Sequence, residues 1–426
     1  MNYTLFGPTN SSTVQRCESC GNEQDELSAQ TECSSCGGLL AVIHARPVDS
    51  GLQLRDRLAA RNTSGVWRFQ QLVMPGATHI VSHPEGNTPL LQRDRVSEWT
   101  GCNGLVIKHE GHNPTGSFKD RGMTVAITQA ARVGASAVAC ASTGNTSASL
   151  AAYAAQASLP GLVFVPAGQV AIGKLTQTLA YGARTLIVRG DFDQCLALAQ
   201  QCARELGVYL VNSVNPWRVE GQKTIVFDLL QQLEWRAPHF IVLPAGNLGN
   251  VSAFGKALRE AIALGLIDRL PRLVAVQAEG AAPFARSFDE QFRTRHRVRA
   301  ETVATAIRIG DPASYDRGVR AITETDGLVL SVSDEEIIDA KMQVDAAGVG
   351  CEAASATSLA GVRKLVYNGT ITQHDRVVAV LTGHLLKDPG MLQQLHQQSD
   401  NPRANRPVEI DASPTEVERV LRVVTP

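Results

Sequence analysis

The sequence has no long hydrophobic run and almost no net charge. Its longest apolar stretches, such as Gly161–Pro166 and Val377–Leu381, are the size of a β-strand. They are far shorter than the ~20 residues of a membrane-spanning helix. The 40 Lys and Arg residues nearly match the 41 Asp and Glu residues, so the chain has no overall attraction for nucleic acid or for an anionic membrane. We therefore expect a globular protein whose partner is a small molecule, with no nucleic-acid or membrane partner.

The beginning of the sequence also lacks a targeting pattern. Residues 1–12, MNYTLFGPTNSS, contain neither the basic segment nor the apolar core of a secretory signal, which predicts a cytoplasmic location. With 426 residues the chain is longer than a usual single domain. Two packed α/β domains with a smaller appendage are expected.

The cysteines do not suggest a disulfide framework. Four of the nine form two C-x2-C pairs separated by twelve residues: Cys17, Cys20, Cys33 and Cys36. Two such pairs in a cytosolic chain suit a tetrahedral Zn²⁺, because each pair turns two thiolates toward one point. A four-sulfur site keeps no open position for a substrate, so the predicted role of the metal is structural. A ribbon without metal and a redox-active ribbon are the open alternatives.

From about Val81 onward, strand-like runs alternate with helical ones. AVACAS precedes TSASLAAYAAQ, for example, and HFIVLPAG precedes NVSAFGKALREAIALG. This repeated order predicts βα units around parallel sheets. In such sheets ligands bind where strands end and helices begin, and four polar segments fall at these joints.

The first joint, NPTGSFKDRG, places a lysine where a helix is about to begin. Pro114 and Gly116 delay the helix, and Ser117 with Asp120 resembles a capping box, which predicts Lys119 in the first turn. The positive end of the helix dipole disfavours an ammonium group, so we expect a lowered pKa for Lys119. A neutral lysine is a nucleophile that can form an imine. On this stretch alone, a solvated lysine at a helix start is the simpler interpretation.

The other three joints carry hydroxyls, amides and glycines. ASTGNTSAS offers polar groups beside helix N–H groups, which suits a carboxylate or phenolate oxygen or simply caps the helix. PAGNLGN, residues 244–250, has glycines that let backbone amides approach a phosphate, and it lacks the lysine of a Walker loop. Thr382 directly follows the strand-like VVAVL, where it could also just cap a turn.

Taken together, the four joints supply an imine-forming lysine, a polar loop, an anion cradle and a neutral hydroxyl. These are the attachments that pyridoxal 5′-phosphate needs. The segments resemble, in order, those of the threonine synthases among the pyridoxal-phosphate enzymes of fold type II. The resemblance is carried by EGNTPL, NPTGSFKDRG, STGNTSAS, NSVNPWRVEGQKT, GNLGN, QAEGAAP, TAIRIGDPAS and TGHLLKDP.

This resemblance implies an α/β protein with two open twisted sheet domains and an N-terminal zinc-ribbon-like module. It places the ribbon at residues 1–45, the large cofactor-binding domain at 46–120 and 217–426, and the small α/β domain at 121–216. It also implies a homodimer. The implied reaction converts O-phospho-L-homoserine and water to L-threonine and phosphate.

The resemblance further implies roles for individual residues. Lys119 is the implied catalytic residue and imine-forming lysine. The implied cofactor contacts are Phe118, Lys119, Asn145, Gly246, Asn247, Leu248, Gly249, Asn250 and Thr382. The implied substrate contacts are Ser142, Thr143, Gly144, Thr146, Ser213, Arg218 and Asn247.

The residues leave one alternative to this function open and disfavour another. His112, Leu385 and Ala353 depart from the common family pattern beside the implied site. A paralogue like cysteate synthase, which replaces the phosphate of O-phosphoserine with sulfite, is therefore the open alternative. A nucleic-acid-binding zinc ribbon on an inactive sheet is disfavoured, because residues 17–44 contain no Lys or Arg.

Overall fold

The β-rich runs of the sequence form three sheets in a computed structural model of the chain, which describes residues 4–59, 64–168, 172–190, 192–398, 401 and 403–424. The strands are β1 Phe6–Gly7, β2 Val14–Cys17, β3 Glu23–Asp25, β4 Leu40–Ala45, β5 Leu90–Leu91, β6 Leu105–His109, β7 Ala137–Ala141, β8 Gly161–Pro166, β9 Arg184–Val188, β10 Val208–Leu210, β11 Phe240–Pro244, β12 Arg272–Ala278, β13 Leu328–Val332 and β14 Val377–Leu381.

Helices fill the connections between most of these strands. They are α1 Gly51–Leu58, α2 Gln70–Val73, α3 Asp94–Thr100, α4 Lys119–Arg132, α5 Asn145–Gln156, α6 Ile172–Ala180, α7 Phe192–Leu206, α8 Pro216–Gln222, α9 Thr224–Gln232, α10 Gly249–Ala263, α11 Pro283–Asp289, α12 Tyr315–Glu324, α13 Asp334–Ala346, α14 Ala353–Tyr367, α15 Pro389–Gln393 and α16 Pro414–Val424. In the part of the chain that the structure describes, none of the helices combines the length and the apolar character needed to cross a bilayer.

Two of the sheets are built from parallel strands, as the βα pattern predicts. The large sheet has the order β13-β12-β11-β14-β6-β5, and only β5 pairs antiparallel to its neighbour. The small sheet has the order β10-β7-β8-β9. Because β14 lies between β11 and β6, three of the predicted joints end side by side at one edge of the large sheet.

The remaining sheet is a small N-terminal one of order β1-β4-β2-β3. Strand β2 pairs antiparallel with both β3 and β4. The two C-x2-C pairs lie at its turns, where Cys17 and Cys33 are buried and Cys20 and Cys36 are exposed. The sheet is thus a ribbon in which the cysteines take the place of an extended core.

Helix α4 is shared between two hydrophobic cores. Val125 packs into the core of the large sheet, with Trp217 and Phe254, whereas Met123 and Ile127 pack into the core of the small sheet. Burial on both sides removes the polar face that a surface helix keeps. The first turn of α4, which carries Lys119, is therefore held between the two sheets.

Buried charges fix the same helix. Arg121 donates to the carboxylates of Glu110 and Asp228 at 2.7 and 2.6 Å, and the Lys108 ammonium lies 3.0 Å from Asp228. Removing one partner of such a network would leave an uncompensated buried charge at a cost of about 3–5 kcal/mol. The register of α4 relative to β6 and α9 is thereby set.

Contacts divide the chain into a unit that ends at Lys387 and a second unit that begins at Asp388. The second unit contains α15 and α16. Helix α16 coincides with the amphipathic tail segment PTEVERVLRVV, and Glu416 and Arg419 pair at 3.0 Å along its surface.

Candidate active site

Lys119 is the first residue of α4, as the sequence predicts. Its Nζ lies over the Phe118 ring, 4.0 Å from the ring centroid, and Lys119 is half-buried. Burial lowers the pKa of Lys119 to about 7, the positive charge of Arg218 adds to the effect, and Glu352 opposes it. The predicted direction of the pKa shift is confirmed, but burial and Arg218, not the helix dipole, are its main causes. A substantial fraction of the amine is therefore neutral at neutral pH.

The predicted capping box at this helix is wrong. The backbone N–H of Lys119 lies 3.4 Å from Ser117 Oγ, but the carboxylate of Asp120 does not return to the cap. It accepts instead from the N–H and hydroxyl of Thr115, at 2.7 and 2.6 Å, and from Ser149 Oγ at 2.6 Å. Asp120 thus ties the loop before α4 to α5, because its carboxylate is occupied by donors from both segments.

Thr382 follows β14 and lies beside the lysine loop. Its carbonyl accepts from the Phe118 N–H at 2.9 Å, and its hydroxyl lies 3.0 Å from Ser355 Oγ. Ser355 Oγ also accepts from the backbone N–H groups of Thr382 and Gly383, both at 2.9 Å. The end of β14 is thereby fixed to the start of α14.

The polar loop after β7 lies at the edge of the small sheet. Its residues Ser142, Thr143, Gly144, Asn145 and Thr146 are all half-buried. Ser142 Oγ accepts from the Gly144 N–H at 3.2 Å, and Asn145 donates to Glu352 at 2.9 Å. The Asn145 contact joins this loop to the start of α14, which packs on the large sheet.

The turn Gly246–Asn250 follows β11 and begins α10. A Cβ on Gly246 would lie 2.9 Å from the Ile307 Cα, so only glycine fits there. Leu248 adopts a left-handed conformation with φ +61°, and its buried side chain anchors the turn in the core. Asn250 Oδ1 is buried and has no hydrogen-bond partner in the described part of the chain. A turn of this kind can direct backbone N–H groups and polar side-chain atoms toward a bound anion.

Asn247 connects this turn to the segment after β10. Its amide donates to Ser213 Oγ at 2.5 Å and accepts from the Ala313 N–H at 2.6 Å. Asn212, the residue before Ser213, exchanges two 3.1 Å hydrogen bonds with the backbone of Ala141. The structure therefore brings the predicted segments of both sheets together around one recess.

Arg218 lies in α8, which begins because Asn215 caps it and Pro216 occupies its first position. The side chain is only 1% exposed, and Nη1 donates to the Val211 carbonyl at 3.1 Å. Nε and Nη2 have no hydrogen-bond partner among the described residues. Burial lowers the pKa of Arg218 to about 10, so the group stays charged at neutral pH. An unpaired buried guanidinium is stabilised when an anion occupies its free N–H groups.

The residues gathered around Lys119 fit pyridoxal phosphate, and we refer to this set as the recess. It contains a partly neutral amine, a glycine turn with an unpartnered buried oxygen, and a neutral hydroxyl at Thr382. The lysine loop and the glycine turn follow β6 and β11, which are separated by β14.

The four N-terminal cysteines converge on one point. Their sulfur atoms lie within 4.8 Å of one another, with Cys17 and Cys36 at 3.5 Å and Cys20 and Cys33 at 3.6 Å. Tetrahedral zinc with Zn–S bonds of about 2.3 Å places its sulfur ligands about 3.8 Å apart. The arrangement therefore fits a four-thiolate zinc site.

Sequence reasoning missed Glu352 and Asn212. Both lie in segments that the resemblance covers, but no spacing pattern singles them out. The signal at Glu352 was a carboxylate directly before the helix AASATSLAGVRKL, at a joint that the strand pattern did not mark. Asn212 sits at the equivalent joint after β10, beside the predicted Ser213.

Comparison with known proteins places this chain in a family. A family model described as "Pyridoxal-phosphate dependent enzyme" matches residues 81–383. A threonine synthase from Methanosarcina acetivorans is 46% identical over 88% of this chain and 92% of its own. Another from Methanocaldococcus jannaschii is 41% identical over 96% of this chain and 99% of its own. The chain belongs to the threonine synthase family of pyridoxal-phosphate dependent enzymes. The family relationship that the sequence motifs predict is confirmed.

Solved structures agree with this family at the level of the fold. The threonine synthase of Escherichia coli has a TM-score of 0.68 at 17% identity, covering 97% of this chain and all of its own. Maize serine racemase has a TM-score of 0.63 at 21% identity, covering 78% of this chain and 95% of its own. The predicted α/β fold of the fold type II pyridoxal-phosphate enzymes is thereby confirmed. The dependence on pyridoxal phosphate is confirmed by the family model and the threonine synthase relatives.

Proposed function

We propose that the protein converts O-phospho-L-homoserine and water to L-threonine and phosphate. Threonine synthases that are 41–46% identical over most of the chain support this reaction. The observation that carries the choice of a phosphorylated substrate is the Arg218 guanidinium, which is buried with Nε and Nη2 unpaired. A planar guanidinium can hold two phosphate oxygens at once.

The neighbouring residues complete the proposed phosphate site. Ser213 and Asn247 hydrogen-bond to each other beside the glycine turn, and both offer polar groups to a second anion. We assign the substrate phosphate to Arg218, Ser213 and Asn247. The substrate carboxylate is assigned to the loop Ser142–Thr146, whose hydroxyls and N–H groups suit a carboxylate.

The cofactor would be held by the large-sheet edge and the two loops that face it. When bound, pyridoxal phosphate supplies an electron sink for carbanion chemistry. We assign its phosphate to the turn Gly246–Asn250, its oxygen substituent to Asn145 and its ring nitrogen to Thr382. Phe118 lies against the amine of Lys119 and would limit its movement.

Lys119 is the proposed acid and base of the reaction. A group with a pKa of about 7 can both accept and release a proton at neutral pH, which is the condition for efficient general acid–base catalysis. Its Nζ would remove one proton from the α-carbon and one from the β-carbon, deliver one to the γ-carbon from which phosphate leaves, and return one to the α-carbon after water has added at the β-carbon. The departing phosphate would take up the proton that the added water releases. Arg218 would hold the phosphate while it departs.

The architecture of the working enzyme is also proposed. We assign a zinc-binding ribbon to residues 1–45, the cofactor-binding domain to 46–120 and 217–426, and the small domain to 121–216. The two parallel sheets support this division, because β7–β10 fall in the small sheet and the flanking strands in the large one. A cytoplasmic homodimer is proposed from the family resemblance, and a solution mass twice that of the 426-residue chain would support it.

Substrate profiling tests the reaction. Purified enzyme is expected to release phosphate and L-threonine from O-phospho-L-homoserine, and to give no sulfite-dependent product from O-phosphoserine. Borohydride reduction of the yellow holoenzyme is expected to attach the cofactor to Lys119, as identified by peptide mass spectrometry. Lys119→Ala should lose activity by at least ~10³-fold, whereas the exposed control Lys364→Ala should retain it. Phosphoserine turnover, or full activity of Lys119→Ala, would contradict the proposal.

A further inference from the structure

A carboxylate at the start of α14 reaches into the candidate active site. Glu352 directly precedes the helix, is 6% exposed, and donates its backbone N–H to the Gly383 carbonyl at 3.1 Å. Its carboxylate accepts from Asn145 Nδ2 at 2.9 and 3.3 Å and from Thr382 Oγ1 at 3.4 Å. Asn145 belongs to the small-sheet side and Thr382 to the large sheet. The Glu352 carboxylate therefore holds one side chain from each of the two sheets.

The surrounding backbone is shaped around this carboxylate. A Cβ on Gly383 would lie 2.4 Å from Glu352 Oε1, so a side chain there would displace the carboxylate. Ser355, three residues further along α14, binds the N–H groups of Thr382 and Gly383. A carboxylate at a helix start is also favoured by the helix dipole. Glu352 is thereby confined to one position.

The charges that face this carboxylate are cationic. Lys119 directly follows Phe118, whose N–H donates to the carbonyl of Thr382 at 2.9 Å, and the positive charges of Lys119 and Lys387 both interact with Glu352. Arg218, from α8, is the other charge acting on Lys119, and it opposes Glu352. Asp120 is engaged by Thr115 and Ser149, and the buried Cys351 thiol has a raised pKa and stays neutral. Glu352 is thus the carboxylate that acts on the Lys119 amine.

We propose that Glu352 is a positioning residue of the cofactor pocket, whose carboxylate fixes the side chains of Asn145 and Thr382 and serves as the counter-ion of Lys119. The proposal rests on the proposed function, because it takes Lys119 as the amine that binds the cofactor aldehyde. It has two separable parts. The charge of Glu352 sets how readily Lys119 gives up its proton, and the reach of Glu352 sets the orientation of the two hydrogen-bonding side chains.

Measurements of how the cofactor-free protein binds pyridoxal phosphate test the charge and the reach of Glu352 separately. The rate of capture, followed by stopped-flow absorbance across pH, reports the fraction of neutral amine, and fluorescence titration gives the Kd. Wild-type protein is expected to show a midpoint near pH 7. Loss of the negative charge in Glu352→Gln should move the midpoint down by about one pH unit. Glu352→Asp keeps the charge and loses reach, so its midpoint should stay near that of wild type while its Kd rises about tenfold.

Two further variants complete the design. Glu352→Ala should combine the lowered midpoint with the weakened Kd, and the exposed control Glu234→Gln should change neither. Circular dichroism establishes that each variant is folded. An unchanged midpoint in Glu352→Gln would overturn the counter-ion role, and an unchanged Kd in Glu352→Asp and Glu352→Ala would overturn the positioning role. Borohydride labelling of wild type at a lysine other than Lys119 would instead overturn the proposed function together with this proposal.

Discussion

At Arg218 the protein keeps a charge buried without a counter-charge, and this arrangement is costly in the free enzyme. Each buried donor without a partner costs about 1–3 kcal/mol, and more when it is charged. The same donors form strong hydrogen bonds once a phosphate is present. Affinity for the substrate phosphate is therefore obtained at the expense of the stability of the ligand-free protein.

The cost of this buried charge predicts that Arg218→Met changes stability differently from the loss of an ordinary buried ion pair. Breaking an ordinary buried ion pair lowers the free energy of unfolding by about 3–5 kcal/mol. Here we expect the free energy of unfolding, measured by urea denaturation without phosphate, to stay within about 1 kcal/mol of wild type or to rise. The same variant should lose about 10²-fold or more in kcat/KM for O-phospho-L-homoserine, because two charge-assisted hydrogen bonds are lost.

Inorganic phosphate provides the check on that interpretation. It should raise the melting temperature of wild type and of the surface variant Arg236→Gln, whose guanidinium is exposed, but not that of Arg218→Met. A large loss of stability in phosphate-free Arg218→Met would mean that the guanidinium is already paired in the free protein.

Individual residues also mark the limit of prediction from sequence. Lys119, Thr382 and the glycine turn can be predicted from the sequence, because each follows a strand-like run and the carboxyl ends of parallel strands meet at one edge. The role of Glu352 cannot be predicted in this way, because its contact with Asn145 spans 207 residues and depends on how the two sheets face each other. The cause of the lowered Lys119 pKa was missed for the same reason, since burial and Arg218 are tertiary effects.

At the scale of elements, α8 is the helix on which the ribbon and the candidate active site meet. Arg218 faces the recess, while the buried Glu220 carboxylate lies 3.1 Å from His44 of β4 and 2.6 Å from Lys223. The Lys256 ammonium of α10 also contacts Glu220. Movement of α8 would therefore disturb the phosphate site and the ribbon together.

We expect Glu220→Ala to lower the free energy of unfolding by about 3–5 kcal/mol, because the ammonium groups of Lys223 and Lys256 lose one of their two shared carboxylates and only Glu260 remains. The KM for O-phospho-L-homoserine should rise more than kcat falls, since α8 carries the phosphate-binding arginine. Urea denaturation and steady-state kinetics measure the two effects. The exposed Glu234→Ala is the matched control, and equal stability of the two variants would exclude the role assigned to Glu220.

Element types follow from the sequence more readily than element boundaries do. The periodic pattern predicts helices at α4, α5 and α10, and these are present. It also predicts one helix over EGQKTIVFDLLQQLEW, whereas the structure divides this stretch between α8 and α9. At the division the Val226 N–H donates to the Lys223 carbonyl three residues back, and the Lys223 ammonium is held by Glu220 and Glu260. The pair with Glu260 is a tertiary contact at this interruption, and the helical period of the sequence does not reveal it.

At the scale of the whole molecule, the ribbon contacts several helices of the main body. Glu18 pairs with Arg317 and Arg320 of α12, and Glu26 pairs with Arg132 of α4 at 2.8 Å. The Lys256 ammonium donates to a ribbon carbonyl at 2.7 Å. These contacts use residues that are not assigned to the candidate active site, which supports a structural role for the ribbon.

Replacing Cys17 and Cys20 by serine tests whether the ribbon has a structural role only. Removing two of four thiolates should abolish zinc binding, measured as metal content by mass spectrometry, and should increase amide hydrogen exchange in residues 14–45. The visible absorbance band of the bound cofactor should persist, because Lys119 and the glycine turn remain in place. Loss of the band would show that the ribbon is needed for the cofactor site. Replacing the isolated Cys202 by serine is the control.

The contacts of the ribbon also limit how the protein can be engineered. A shortened chain that began after Ala45 would leave Glu220, Arg317 and Lys256 without the partners that β4 and Glu18 provide. Newly uncovered arginines and lysines on one face would favour adhesion to acidic polymers and precipitation during purification. A version of this enzyme without the ribbon would therefore require redesign of that face. Neutral residues would have to replace the charged residues that removal of the ribbon exposes.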